Sequence, residues 1–94
     1  VIECNHDEEM LMNGSYPYDL KLRIKSKRGH LSNKDCAALA CELYNRGTRN
    51  FMLAHLSEEN NIPSLAYNEV FRAICDESVN IKVAAPNESV WLLD

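Results

Sequence analysis

The segment at residues 50–55, NFMLAH, constrains the fold of this chain more than any other. Its apolar run is typical of a strand, and the run is not broken by alternating polar residues. A strand of this kind is buried on both faces, as in parallel or mixed sheets. The segment therefore predicts an α/β domain in which helices pack on one mixed sheet.

Two helices are predicted on either side of this strand. In the first, Ser32 is a suitable N-cap, apolar residues recur at helical spacing, and Gly47 ends the helix. Pro63 begins the second helix, in which Ala66, Val70 and Ile74 share the core face.

The other segments complete the layered order of strand, helices, strand, helix, strand, strand. The opening VIEC predicts a strand that is already in progress at Val1, which suggests a fragment or a processed product. A short helix up to Asn13-Gly14 follows, and Pro17 begins another that ends near Gly29, although KLRIKS also fits a strand. The segments VNIKVAAP and SVWLLD predict two final strands, separated by Pro86-Asn87-Glu88.

Length and composition indicate one small soluble domain at residues 1–94. The chain is 46% hydrophobic and 26% charged, and it has no apolar run long enough for a transmembrane helix. The four cysteines form no C-x-x-C pair, and the N-terminal segment does not resemble a secretory signal. We therefore expect reduced, structural thiols in a cytoplasmic protein without a membrane partner.

The basic residues are unevenly distributed. Residues 21–28, KLRIKSKR, hold five of the ten basic residues and no acid, although the net charge of the chain is −4. A solvated helix face is the simpler interpretation of such a run. The functional alternative is a patch that attracts the nucleic-acid backbone through Arg23, Lys25, Lys27 and Arg28.

His55 follows the buried strand directly and precedes a polar loop. Ligands of α/β sheets collect at the carboxyl ends of strands, so His55 is a candidate metal ligand. The alternative is a histidine whose ring is satisfied at the strand end, and position alone favours that alternative.

His30 precedes the Ser32 cap and is a candidate for proton transfer, provided that a carboxylate positions its ring. Glu3, at the end of VIEC, could supply this carboxylate. The simpler interpretation is an exposed histidine near a helix cap.

The cluster NHDEE offers His6 and Asp7 as further candidates. It is a weak metal motif because adjacent side chains diverge. A more ordinary role for Asp7 is to cap the short helix that follows.

Taken together, the segments IECNHDEEMLMNG, YPYDLKLRI, RGHLSNKD and LAHLSEENN resemble the C-terminal half of metallo-β-lactamase-fold hydrolases. Within them, the chain is most similar to the bacterial YycJ/WalJ-type group of DNA exonucleases. The resemblance implies half of an αββα sandwich and a metal-dependent nuclease that takes two zinc or manganese ions per complete site.

The resemblance also implies roles for individual residues. His55 matches the last metal-binding histidine of the superfamily. The IEC and GHLS segments resemble the paired glutamate and histidine motifs of ribonuclease Z enzymes, which assist proton transfer to the leaving group. That role would fall on Glu3 and His30.

The remaining metal ligands of the superfamily lie in its N-terminal half, which this chain does not contain. We therefore expect the isolated chain to be inactive and to hold metal poorly, because zinc sites use three or four protein ligands. A bare, apolar sheet face would bind the missing half or a second copy. The alternative function is a non-enzymatic α/β module for interaction or oligomerisation.

Overall fold

A computed structural model describes residues 1–25 and 30–84, with residues 23–25 described through their backbone alone. Lys27, Arg28, the predicted helix end at Gly29 and the last predicted strand lie outside the described residues. The elements, in chain order, are β1 (Ile2–Glu3), α1 (Glu8–Asn13), α2 (Tyr18–Lys25), α3 (Asn33–Asn45), β2 (Asn50–Ala54), α4 (Pro63–Ile74) and β3 (Asn80–Val83).

The three described strands form one parallel sheet in the order β1-β2-β3. The central strand is β2, which pairs Leu53 with Ile2 on one side and Phe51 with Ile81 on the other. Phe51, Leu53 and Ala54 are buried, whereas Asn50 is exposed and Met52 is half-buried, so the predicted burial on both faces holds only at the C-terminal end of β2. The predicted α/β class, with helices packed on a single sheet, is confirmed.

Helices α3 and α4 pack on each other and against the sheet. Ser32 caps α3 by accepting a hydrogen bond from the Asp35 backbone N–H at 3.1 Å, as predicted. Gly47 follows α3 at φ 113°, a conformation that side chains rarely adopt. Buried residues on the inner faces of α3, α4 and the sheet form one core, which includes Ala37, Ala40, Leu53, Ala66, Val70, Ile74 and Ile81.

The opposite face of the sheet differs from the expected apolar surface. Residues alternate between the faces of a strand, so the residues between the buried core positions point away from the helices. Among the described residues, this free face carries Glu3, Asn50, Met52, Ala54, Asn80 and Lys82. Asn80 donates a hydrogen bond to the Asn50 side chain at 3.3 Å. Over the described strands, the free face is therefore mixed and polar rather than a large apolar patch.

A polar contact joins the C-terminal ends of α3 and α4. The Tyr44 hydroxyl donates a hydrogen bond to Asp76, and the Arg49 guanidinium lies 4.2 Å from the centre of the Tyr44 ring. Asp76 also accepts hydrogen bonds from the backbone and side chain of Ser78. These bonds, the Tyr44 bond first, lower the pKa of Asp76 to about 2.

No helix within residues 1–25 and 30–84 combines the length and the apolar character that crossing a bilayer requires.

We expect Asp76→Asn to flatten the acid dependence of stability. Because the folded-state pKa of Asp76 lies below its ordinary value of 3.8, its carboxylate stabilises the fold above that value. This stabilisation is lost as the pH falls toward 2. Urea unfolding between about pH 2 and about pH 7 should show the variant and wild-type curves converging at the acid end.

The exposed neighbour Glu77 provides the control, because Glu77→Gln removes a carboxylate at the adjacent position. Its curve should follow that of the wild type. A constant difference between Asp76→Asn and wild type at every pH would contradict the expectation.

Candidate functional site

The candidate residues gather at the edge of the sheet where β1 and β2 end. Glu3 pairs with Ala54, so the residue after Ala54, His55, leaves the sheet beside the end of β1. Strand ends of a parallel sheet face the same edge, which is where α/β proteins bind ligands. The predicted placement of His55 at the carboxyl end of a buried strand is confirmed.

Glu3 and His30 are in direct contact. The Glu3 carboxylate pairs with His30 Nδ1, and both side chains reach solvent, with exposed fractions of 28% and 52%. The contact arises because the chain after His30 runs alongside the end of β1. There, the backbone N–H of Asn5 donates to Leu31 O at 2.9 Å, and that of Asn33 donates to His6 O at 2.7 Å.

The Glu3–His30 arrangement is suited to proton transfer. A carboxylate on Nδ1 orients the imidazole ring and leaves Nε2 to exchange a proton with a bound molecule. The predicted proximity of the two residues is thus observed, and their catalytic role stays a prediction.

His55 is exposed and adopts a left-handed backbone with φ 60°. This conformation costs an L-residue other than glycine on the order of 1–2 kcal/mol. It is held by two hydrogen bonds: Asn5 Nδ2 donates to His55 O at 2.9 Å, and the Ser57 backbone N–H donates to Asn5 O at 2.8 Å. The ring therefore stands in solvent on a fixed backbone, which suits one ligand position of a metal site.

The described residues do not complete such a site. Within residues 1–25 and 30–84, no three His, Cys, Asp or Glu side chains are grouped so that they could hold a metal ion. The metal-ligand role of His55 stays a prediction.

His6 and Asp7 are placed differently from His55. His6 is 1% exposed, and this burial lowers its pKa, which favours the neutral ring. Its Nε2 has no hydrogen-bond partner among the described residues. Asp7 accepts the Met10 backbone N–H at 3.0 Å, which confirms the prediction that it caps α1.

A buried amide pair, missed by the sequence analysis, supports this edge. Asn33 and Asn61 exchange two side-chain hydrogen bonds of 2.8 Å and are 2% and 6% exposed. Asn61 also donates to Cys4 O at 3.0 Å and accepts the Ile62 backbone N–H at 2.9 Å. The only sequence signal was an asparagine at the start of each predicted helix, which a polar loop explains equally well.

The four cysteines are all free thiols. Cys4 and Cys36 belong to the core, and Cys4 Sγ donates to the Asn33 side chain at 3.1 Å. Contact with Cys36 and burial raise the pKa of Cys4 strongly, so this thiol is inert. Cys75 is exposed and adopts a left-handed conformation at the end of α4.

The basic run is only partly described. Arg23 and Lys25 belong to α2, which confirms the predicted helix over this part of the run. Lys21, one turn earlier, donates to Met12 O at 2.7 Å. The backbone-binding role of Arg23, Lys25, Lys27 and Arg28 stays a prediction.

The chain is similar to curated bacterial proteins. It is 44% identical over 87 residues to proteins named exodeoxyribonuclease WalJ from two strains of Streptococcus pneumoniae, covering 88% of this chain and 32% of each relative. It is 38% identical over 81 residues to exodeoxyribonuclease YycJ of Bacillus anthracis, covering 86% of this chain and 31% of that protein.

These similarities confirm the resemblance to the YycJ/WalJ-type group. The chain spans about a third of the length of the curated relatives it matches. No family model matches the chain. No solved structure matches it.

We expect Asn61→Ala to destabilise the protein by about 3 kcal/mol, because it leaves Asn33 Nδ2, Cys4 O and the Ile62 N–H without the partners that Asn61 provides. Each unsatisfied group of this kind costs roughly 1–3 kcal/mol. Chemical denaturation followed by circular dichroism measures the change.

The exposed Asn68 on α4 provides a matched control, and Asn68→Ala should change the unfolding free energy by less than about 0.5 kcal/mol. Equal losses for the two variants would show that the buried amide pair is not a principal support of this edge.

Proposed function

We propose that this chain is the C-terminal part of a metal-dependent DNA exonuclease of the metallo-β-lactamase superfamily. The observation that supports the proposal most strongly is the Glu3–His30 pair beside His55 at one sheet edge. The similarity to proteins named exodeoxyribonuclease supports the substrate class. Such an enzyme would act in the cytoplasm.

His30 would protonate the leaving oxygen as the phosphodiester bond breaks. A positioned general acid of this kind contributes roughly 10²–10⁴-fold to a rate. Glu3 holds Nδ1, so the proton would come from Nε2, and the carboxylate would keep the ring in the orientation for transfer. Both side chains reach solvent, which gives a nucleic-acid end access to the ring.

His55 would provide one imidazole nitrogen to a divalent metal, zinc or manganese. When bound, the metal supplies a hydroxide at neutral pH and neutralises charge on the phosphate. The other ligands would come from an N-terminal part similar to the portion of the relatives that this chain does not cover. The isolated chain would then bind metal weakly and lack activity.

The alternative of an oligomerisation module receives less support. The interface considered for that module is the sheet face, which carries Asn50, Asn80 and Lys82 among the described residues and therefore offers little apolar area to bury there.

In the complete protein, we expect substitutions of His55 and of His30 to change different properties: the metal content in the first case and the cleavage rate in the second. His55→Ala should reduce bound zinc or manganese, because it removes a ligand. Glu3→Gln and His30→Ala should leave the metal content unchanged and lower kcat on DNA by roughly 10²–10⁴-fold. Metal analysis and single-turnover cleavage measure the two effects.

Glu42→Gln, on the exposed surface of α3, is the control and should match wild type in both measurements. Full activity of both His30→Ala and Glu3→Gln would eliminate the proposed proton transfer. An unchanged metal content in His55→Ala would eliminate the ligand role.

Charge reversal should test the nucleic-acid partner independently. In the complete protein, Lys25→Glu with Lys27→Glu should weaken binding to uncleavable DNA and reduce its salt dependence. The slope of log affinity against log salt should fall by roughly one for each phosphate that the lysines no longer neutralise.

Arg46→Glu with Arg72→Glu, at exposed positions after α3 and on α4, is the matched control, because it also reverses two positive charges. Binding of the lysine variant equal to that of the control at every salt concentration would rule out a role of the basic run.

A further inference from the structure

The backbone of Asn5 connects the Glu3–His30 side of the candidate site to the His55 side. Its N–H donates to Leu31 O at 2.9 Å, next to His30. Its carbonyl oxygen accepts the Ser57 N–H at 2.8 Å, just beyond His55, and the Asn61 side-chain amide at 3.1 Å. These backbone bonds fix the position of the Asn5 Cα, from which the side chain extends.

The Asn5 side chain uses both of its polar atoms. A carbonyl oxygen can only accept, so Nδ2 is the atom that faces His55 O at 2.9 Å. Oδ1 then faces His6 Nδ1 at 3.3 Å and accepts from it, which fixes the proton of the neutral His6 ring on Nδ1. The buried His6 ring thus holds the Asn5 amide in the orientation that presents Nδ2 to His55.

On the basis of the metal role proposed for His55, we propose that Asn5 is a positioning residue that holds His55 in its left-handed backbone and aims its ring at the metal. Positive φ is unfavourable for histidine and persists only where neighbouring contacts enforce it. Asn5 supplies two such contacts directly after the His55 Cα, through its side chain to His55 O and through its backbone carbonyl to Ser57 N.

The chemistry of this position favours asparagine. Aspartate has nearly the same shape but no hydrogen to donate, and its charge would repel the His55 carbonyl oxygen. Alanine removes both side-chain bonds while keeping the backbone bonds to Leu31 and Ser57. Asn5→Asp therefore tests the loss of the Nδ2 donor with the side-chain shape kept, whereas Asn5→Ala tests the loss of the whole polar side chain.

The test measures zinc affinity of the complete protein by competition with a chromophoric chelator. We expect Asn5→Ala and Asn5→Asp to weaken zinc binding 10–100-fold, the range that applies when the support of a metal-ligating side chain is lost. Weaker zinc binding in Asn5→Asp would be especially informative, because the negative charge of aspartate would by itself attract the zinc ion. Asn80→Ala, which removes an exposed asparagine bond at the opposite end of β2, should bind as wild type.

A second measurement follows the His55 backbone by nuclear magnetic resonance in the same proteins. The intraresidue N–H to Hα nuclear Overhauser effect is strong at positive φ, and we expect it in wild type and Asn80→Ala but not in Asn5→Asp. If Asn5→Ala fails to fold, Asn5→Asp decides the matter through both measurements.

The possible outcomes distinguish a failure of the positioning role of Asn5 from a failure of the proposed function. Weakened zinc binding in His55→Ala with wild-type affinity in both Asn5 variants would overturn the role of Asn5 and leave the proposed function standing. A His55 backbone that stays left-handed in Asn5→Asp would likewise overturn it. Wild-type zinc affinity in His55→Ala would overturn the ligand role of His55, and the positioning role with it.

Discussion

The buried amide pair of Asn33 and Asn61 is the interaction on which the rest of the site depends. It joins the first turn of α3 to the start of α4 and, through Cys4 O, ties both to the end of β1. Three segments that are distant in sequence therefore converge at one point. Buried polar groups specify a geometry because each alternative arrangement leaves a partner unsatisfied. The apolar core stabilises the fold, but apolar contacts do not specify one arrangement of these three segments as the buried amides do.

The position of the candidate residues follows from this convergence. The chain before Asn33 is held beside β1, which brings His30 to Glu3, and the chain after β2 returns past Asn5 toward Asn61. The exposed Glu3–His30 pair would contribute little to stability by itself, since side chains in solvent gain modest energy from pairing. Its geometry comes instead from buried bonds behind it. The site is thus a solvent-facing arrangement supported by a polar interior.

The sequence predicted the parts of the structure that depend on local pattern. The cap at Ser32, the apolar run of β2 and the core face of α4 were correct, because burial imposes a periodicity that can be recognised. The Glu3–His30 contact was anticipated from the position of Glu3 at the end of VIEC and from the resemblance. The Asn33–Asn61 pair and the left-handed His55 were not predicted, since both depend on contacts between distant segments. The polar free face was also missed, because an apolar run does not reveal which residues a neighbouring strand places beside it.

The parallel pairing of β2 has a consequence for how the chain reaches its folded state. Each neighbour of β2 is joined to it through a long crossover, so Ile2 meets Leu53, and Phe51 meets Ile81. No sheet hydrogen bond can form until loops of roughly 30 to 50 residues close, which is a cost in chain entropy paid before any gain. Helices α3 and α4 can form locally long before this. Folding of this sheet should therefore be slow for the size of the domain, as for other topologies of high contact order.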